Sequence, residues 1–182
     1  LEKIVNYWWR KLNVKYQSNL AVTDYAALGL GVLYTDWDMQ LDTEDTVIKD
    51  EPFVLHVPFE DFLVDPNFVP QEIMEAGFMI RRFIKPVKEL KKDSRYKHTK
   101  DLKGDVGLDK EIWKDEAAEQ INLYQIWIPE DEASYVMRKG SDDIMREVEN
   151  KLGREYPFTL MQNYQNPGEQ LPSGELKILL EP

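Results

Sequence analysis

The sequence contains no cysteine and only two histidines, His56 and His98. The absence of thiols excludes a disulfide scaffold, a thiolate zinc site, a cysteine nucleophile and an iron–sulfur cluster. Two isolated histidines also argue against a zinc site, because such sites take three or four protein ligands. We therefore predict neither a metal site nor a cofactor site.

Long apolar runs and an excess of positive charge are absent as well. The longest apolar run, Tyr25 to Tyr34, is well short of the roughly 18 residues of a membrane-spanning helix, so no contact with a membrane is expected. The chain carries 23 basic and 34 acidic residues, which gives a net charge of −11. Because binding of duplex DNA depends on neutralising phosphates, this balance argues against a general DNA-binding protein.

The chain does have the apolar material that a core needs. Hydrophobic residues make up 42% of the 182 positions, and they include 5 Trp, 9 Tyr and 7 Phe. This length predicts one domain over residues 1–182. The chain begins at Leu1 without a methionine and stops just after the apolar run 176–180, so we expect it to be a piece of a longer protein.

Residues 1–30 carry one continuous apolar stripe at helical spacing. Its members are Leu1, Val5, Trp8, Trp9, Leu12, Tyr16, Leu20, Ala26, Ala27 and Leu30. The stripe predicts a single helix of about 45 Å, whereas a compact domain of this size has a radius of gyration near ~16 Å. Such a helix either kinks or packs against something else, and Trp8 and Trp9 are candidate contact residues on it.

The remainder of the chain is predicted to be rich in strands, and Gly29 and Gly31 separate it from the helix. Strands are expected at 32–37, 52–58, 78–83, 119–129, 133–139, 144–149 and 158–162, with short helices at 70–76 and 86–94 and loops at 36–50 and 96–118. The predicted fold class is α+β, with a long N-terminal helix packed on a mainly antiparallel sheet with short helices.

Sequence motifs for catalysis are incomplete. Gly29-Leu30-Gly31 lies between a helix and a strand, the reverse of the order in a phosphate loop. The acidic loop 36–50 places Leu41 where a calcium-binding EF-hand requires glycine. Ser173 follows Leu171-Pro172 and lacks the first glycine of a nucleophile elbow, and His56 is interpreted as a half-buried histidine with its hydrogen bonds satisfied. We predict no catalytic residue and no enzyme activity.

The charge of the chain is unevenly distributed. Between residues 81 and 103 there are ten basic and three acidic side chains, a local charge of +7, which leaves −18 on the rest. Such a segment is a solvated surface, a contact with the acidic side of a neighbouring copy, or a nucleic-acid contact. The candidate subunit-contact residues in this segment are Arg81, Arg82, Lys85, Lys88 and Lys92.

In their order along the chain, several segments resemble the wing region of a tailed-bacteriophage portal protein. The segment with most weight is Val57-Pro58-Phe59-Glu60-Asp61-Phe62-Leu63-Val64-Asp65-Pro66, an apolar strand that closes on an aspartate-proline turn. The other segments are 29–37, Leu123-Tyr124-Gln125-Ile126-Trp127, Tyr156-Pro157-Phe158, Asn166-Pro167-Gly168 and 171–174.

The resemblance implies a structural subunit of a ring, typically of twelve copies, at one vertex of the capsid. DNA passes through such a ring during packaging and ejection, and the ring is also the head–tail connector. The implied partners are identical subunits, the packaging motor (terminase), the capsid, and tail or adaptor proteins. The implied location is the virion, after assembly in the host cytoplasm, and the family's stem helices and clip are expected beyond Pro182.

Two other classes of function stay open. One is an acidic hydrolase or carbohydrate-active domain that uses paired carboxylates on the sheet. The other is a small adaptor module that binds protein through the helix that carries Trp8 and Trp9. A deep pocket with two converging carboxylates would favour the first, and a long helix that protrudes from a sheet-rich body would favour a portal subunit.

Overall fold

The computed structural model describes residues 2–41, 47–67, 74–105, 119–150, 152–170 and 176–180. Its helices are α1 (Glu2–Lys11), α2 (Val14–Leu28) and α3 (Val87–Lys92). Its strands are β1 (Leu30–Leu41), β2 (Val47–Val57), β3 (Phe62–Val64), β4 (Met79–Pro86), β5 (Gln120–Ile128), β6 (Ala133–Arg138), β7 (Ile144–Glu149), β8 (Phe158–Gln170) and β9 (Leu176–Leu180).

These elements form two compact units. Residues 1–60 and 157–182 make the first unit, which contains a four-stranded sheet in the order β2-β1-β8-β9. Residues 61–156 make the second unit, with a five-stranded sheet in the order β3-β4-β5-β6-β7. The strand pairs of both sheets are antiparallel. Whether residues 1–182 fold as one domain stays a prediction.

The predicted long N-terminal helix is wrong. The chain leaves the helical conformation at Asn13, whose φ of 52° and ψ of 37° lie in the left-handed region, and so α1 and α2 are separate helices. Asparagine tolerates this region better than most residues, and the apolar stripe continues on both sides of the break, which conceals it in the sequence. The described residues are mostly sheet with three short helices, so the predicted α+β fold, with a long helix packed on the sheet, is also wrong.

The core of the first unit lies where α2 contacts β1 and β2. Gly29 ends α2 with a φ of 85°, and its N–H donates to the carbonyl oxygen of Tyr25 at 2.9 Å. A Cβ on Gly31 would lie 2.0 Å from the carbonyl oxygen of Ala21, so only glycine permits this approach of helix and strand. The ring of Tyr34 on β1 is buried and packs 5.5 Å from that of Phe158.

One face of the five-stranded sheet is covered. Alternate residues of β5, from Ile121 to Trp127, are buried, and the intervening residues are half-buried. The covered face packs against α3 and the segment that follows it, through Val87, Leu90, Tyr96 and Leu102. Successive side chains of a strand point to opposite faces of the sheet. The buried residues of β5 therefore lie on the covered face, and the half-buried residues lie on the opposite, open face.

Several other predictions can be compared with the structure. The strands predicted at 119–129, 133–139 and 144–149 are confirmed as β5, β6 and β7. The predicted bounds of the acidic loop 36–50 are wrong at both ends, because β1 extends to Leu41 and β2 already begins at Val47. Most of the predicted helix 70–76, the loop residues 106–118, and 171–175 lie outside the described residues. In the part of the chain that is described, no helix has the length and apolarity needed to cross a membrane.

Candidate subunit-contact surfaces

The apolar face of α1 is open to solvent. Val5 and Trp9, which are four residues apart on the same side of the helix, are 54% and 50% exposed, and no residue of this helix is buried. Large apolar side chains at helical spacing are normally buried against a partner, and a contiguous exposed group of them indicates an interaction surface. Trp9 is therefore placed as an interface residue would be.

Trp8 is positioned differently from Trp9. It is half-buried, and the Nζ atom of Lys11 lies 4.9 Å from the centroid of its ring. Lys11 also forms an ion pair with Glu51 on β2, and the hydrogen bond that its ammonium donates to this carboxylate raises the pKa of the lysine. These contacts attach the C-terminal end of α1 to strand β2. Trp8 takes part in this attachment through its contact with Lys11.

Arg81 lies on the covered face of the five-stranded sheet. Its Nη2 atom donates a hydrogen bond to Oε1 of Gln125 at 3.2 Å, and its guanidinium lies 5.0 Å from the ring of Phe83. The buried Gln125 in turn donates to Oγ of the buried Ser134 at 3.0 Å. A polar row therefore crosses β4, β5 and β6 inside an apolar surrounding, and Arg81 contributes to the packing of its own unit.

Arg82 and Lys85 are also engaged within their own unit. Arg82 points to the open face of the sheet and forms an ion pair with Asp61. The ammonium of Lys85 lies 5.2 Å from the ring centroid of Tyr96, within cation–π distance. The sequence could not show these contacts, because their partners lie 21 and 11 positions away in the chain.

Lys88 and Lys92 are exposed on α3, one helical turn apart. The buried side of the same helix is formed by Val87 and Leu90. Further exposed lysines of the segment 81–103 are Lys91, Lys97, Lys100 and Lys103. Of the five candidate basic residues, the structure therefore leaves Lys88 and Lys92 as exposed positive charges.

The open face of the five-stranded sheet is a further apolar surface. One row of directly paired residues runs across four strands: Leu63, Ile80, Ile126 and Tyr135. A second row joins Tyr124, Met137 and Ile144. None of these residues is buried, and Leu63, Ile144 and the nearby Ile84 are 48%, 43% and 51% exposed. In β4 and β5, apolar residues occupy alternate positions on both faces of the sheet. This pattern is the signal in the sequence that could have predicted the surface.

His56 is held by helix α2. Its Nε2 atom lies 2.8 Å from Oδ2 of Asp24, and the side chain is 12% exposed, as the interpretation of a satisfied histidine requires. Among the described residues, no serine or threonine hydroxyl hydrogen-bonds to this imidazole. The described part of the chain also has no group of three histidine or acidic residues that could hold a metal ion.

Comparison with known proteins does not assign the chain to a family. No family model matches the sequence, and no curated protein matches it.

Proposed function

We propose that the chain is the wing portion of a portal subunit of a tailed bacteriophage, with a structural and not a catalytic role. The observation that carries the proposal is the presence of two separate exposed apolar surfaces, the stripe on α1 and the open face of the five-stranded sheet. A ring of identical subunits uses two different patches on each subunit, one for each neighbour. A monomeric enzyme needs neither patch.

The segment with the strongest resemblance contains the end of one strand, a 3-10 turn, a short second strand and an aspartate-proline turn, in this order along the chain. Strand β2 ends at Val57, a 3-10 turn spans Phe59–Asp61, and β3 spans Phe62–Val64. The carboxylate of Asp65 then accepts the backbone N–H of Asn67 at 2.8 Å, which closes the aspartate-proline turn. The strand and the turn are both present as the resemblance implies, which supports the proposal.

The charge of the chain is compatible with a conduit for DNA. A surface that neutralises many phosphates grips duplex DNA, whereas a net charge of −11 disfavours such a grip. We propose that DNA passes through the assembled ring during packaging and ejection, and that a separate motor hydrolyses ATP. The proposed partners are further copies of the chain, this motor, the capsid and the tail or its adaptor, and the proposed location is the virion.

Self-association of the complete gene product tests this proposal. We expect sedimentation velocity to show concentration-dependent assembly into a large species, and Trp9→Ala to weaken that assembly. The matched control is Trp37→Ala, since Trp37 on β1 is 45% exposed but lies outside α1. A protein that stays monomeric at every concentration would contradict the proposal and favour an adaptor module. Reproducible turnover of ATP or of a glycoside would contradict the non-enzymatic role.

A further inference from the structure

We draw no further inference here: the strongest candidate, the open apolar face of the five-stranded sheet that carries the exposed Leu63, Ile84 and Ile144, carries none, because nothing in the part of the chain that the structure describes shows what covers it.

Discussion

The imidazole of His56 on strand β2 is hydrogen-bonded to the carboxylate of Asp24 on helix α2, with 2.8 Å between Nε2 and Oδ2. The backbone N–H of the same histidine donates to Oε1 of Gln17, two helical turns before Asp24. Strand β2 is an edge of its sheet, and an exposed edge N–H invites pairing with another strand. Helix α2 thus binds both the side chain and the backbone of one edge residue.

Removal of the carboxylate tests this attachment. We expect Asp24→Ala to lower the free energy of unfolding by about 1 kcal/mol, the typical contribution of one hydrogen bond. The control is Asn19→Ala on the exposed side of α2, because both substitutions gain similar helix propensity and only the first loses the contact. Urea unfolding monitored by tryptophan fluorescence gives both values. Equal stability of the two variants would show that the pair does not hold the helix.

Tyr156 provides a test at alkaline pH. Its hydroxyl donates to the carbonyl oxygen of Ala76 at 2.6 Å, and burial, helped by the nearby Asp65, raises its pKa to about 12. Because the folded state holds this proton more tightly than the unfolded state, the group stabilises the fold below pH ~10, and this stability is lost as the pH rises towards 12.

We expect Tyr156→Phe to cost about 1 kcal/mol at pH 8, since one hydrogen bond is lost, and to cost less at pH 11. Urea unfolding at the two pH values measures this difference. Tyr16→Phe is the control, because Tyr16 is 55% exposed. If the difference in the free energy of unfolding between Tyr156→Phe and the natural protein were the same at pH 8 and pH 11, the raised pKa of Tyr156 would be contradicted.

The local features of the fold could be predicted from the sequence, and the long-range ones could not. Alternating apolar residues between turn signals placed β5, β6 and β7, and Gly29 was correctly assigned to the end of a helix. The break at Asn13 was missed because the apolar stripe is continuous across it. The contact of Arg81 with Gln125 was missed because its partner is 44 residues away and is set by strand register.

Substitution of Arg81 tests whether this residue stabilises the fold of its own unit and is not a contact between subunits. We expect Arg81→Met to lower the free energy of unfolding by about 2 kcal/mol, because the buried Gln125 loses a charged hydrogen-bond donor. The control Lys88→Met alters an exposed lysine of α3 and is expected to change stability by no more than about 0.5 kcal/mol. Thermal unfolding of both variants decides this. If Lys88→Met lowered the free energy of unfolding more than Arg81→Met, Lys88 and not Arg81 would be the residue that stabilises the unit.

The exposed lysines of α3 test the role of the basic segment in assembly. We expect the double variant Lys88→Glu with Lys92→Glu to weaken association of the complete gene product, most strongly at low salt, because charge complementarity between copies is screened by ions. Arg138→Glu with Lys139→Glu changes the net charge equally at exposed positions outside the segment. If both double variants associate alike in sedimentation experiments, the basic segment has no specific contact.

Electron microscopy of the complete gene product tests the central claim most directly. A portal subunit predicts closed rings of identical copies around an axial hole wide enough for duplex DNA. Each copy should present the two apolar surfaces, on α1 and on the open face of the five-stranded sheet, to its neighbours and not to solvent. A single globular particle with both surfaces exposed, or with a ligand between two carboxylates in a deep pocket, would contradict the account.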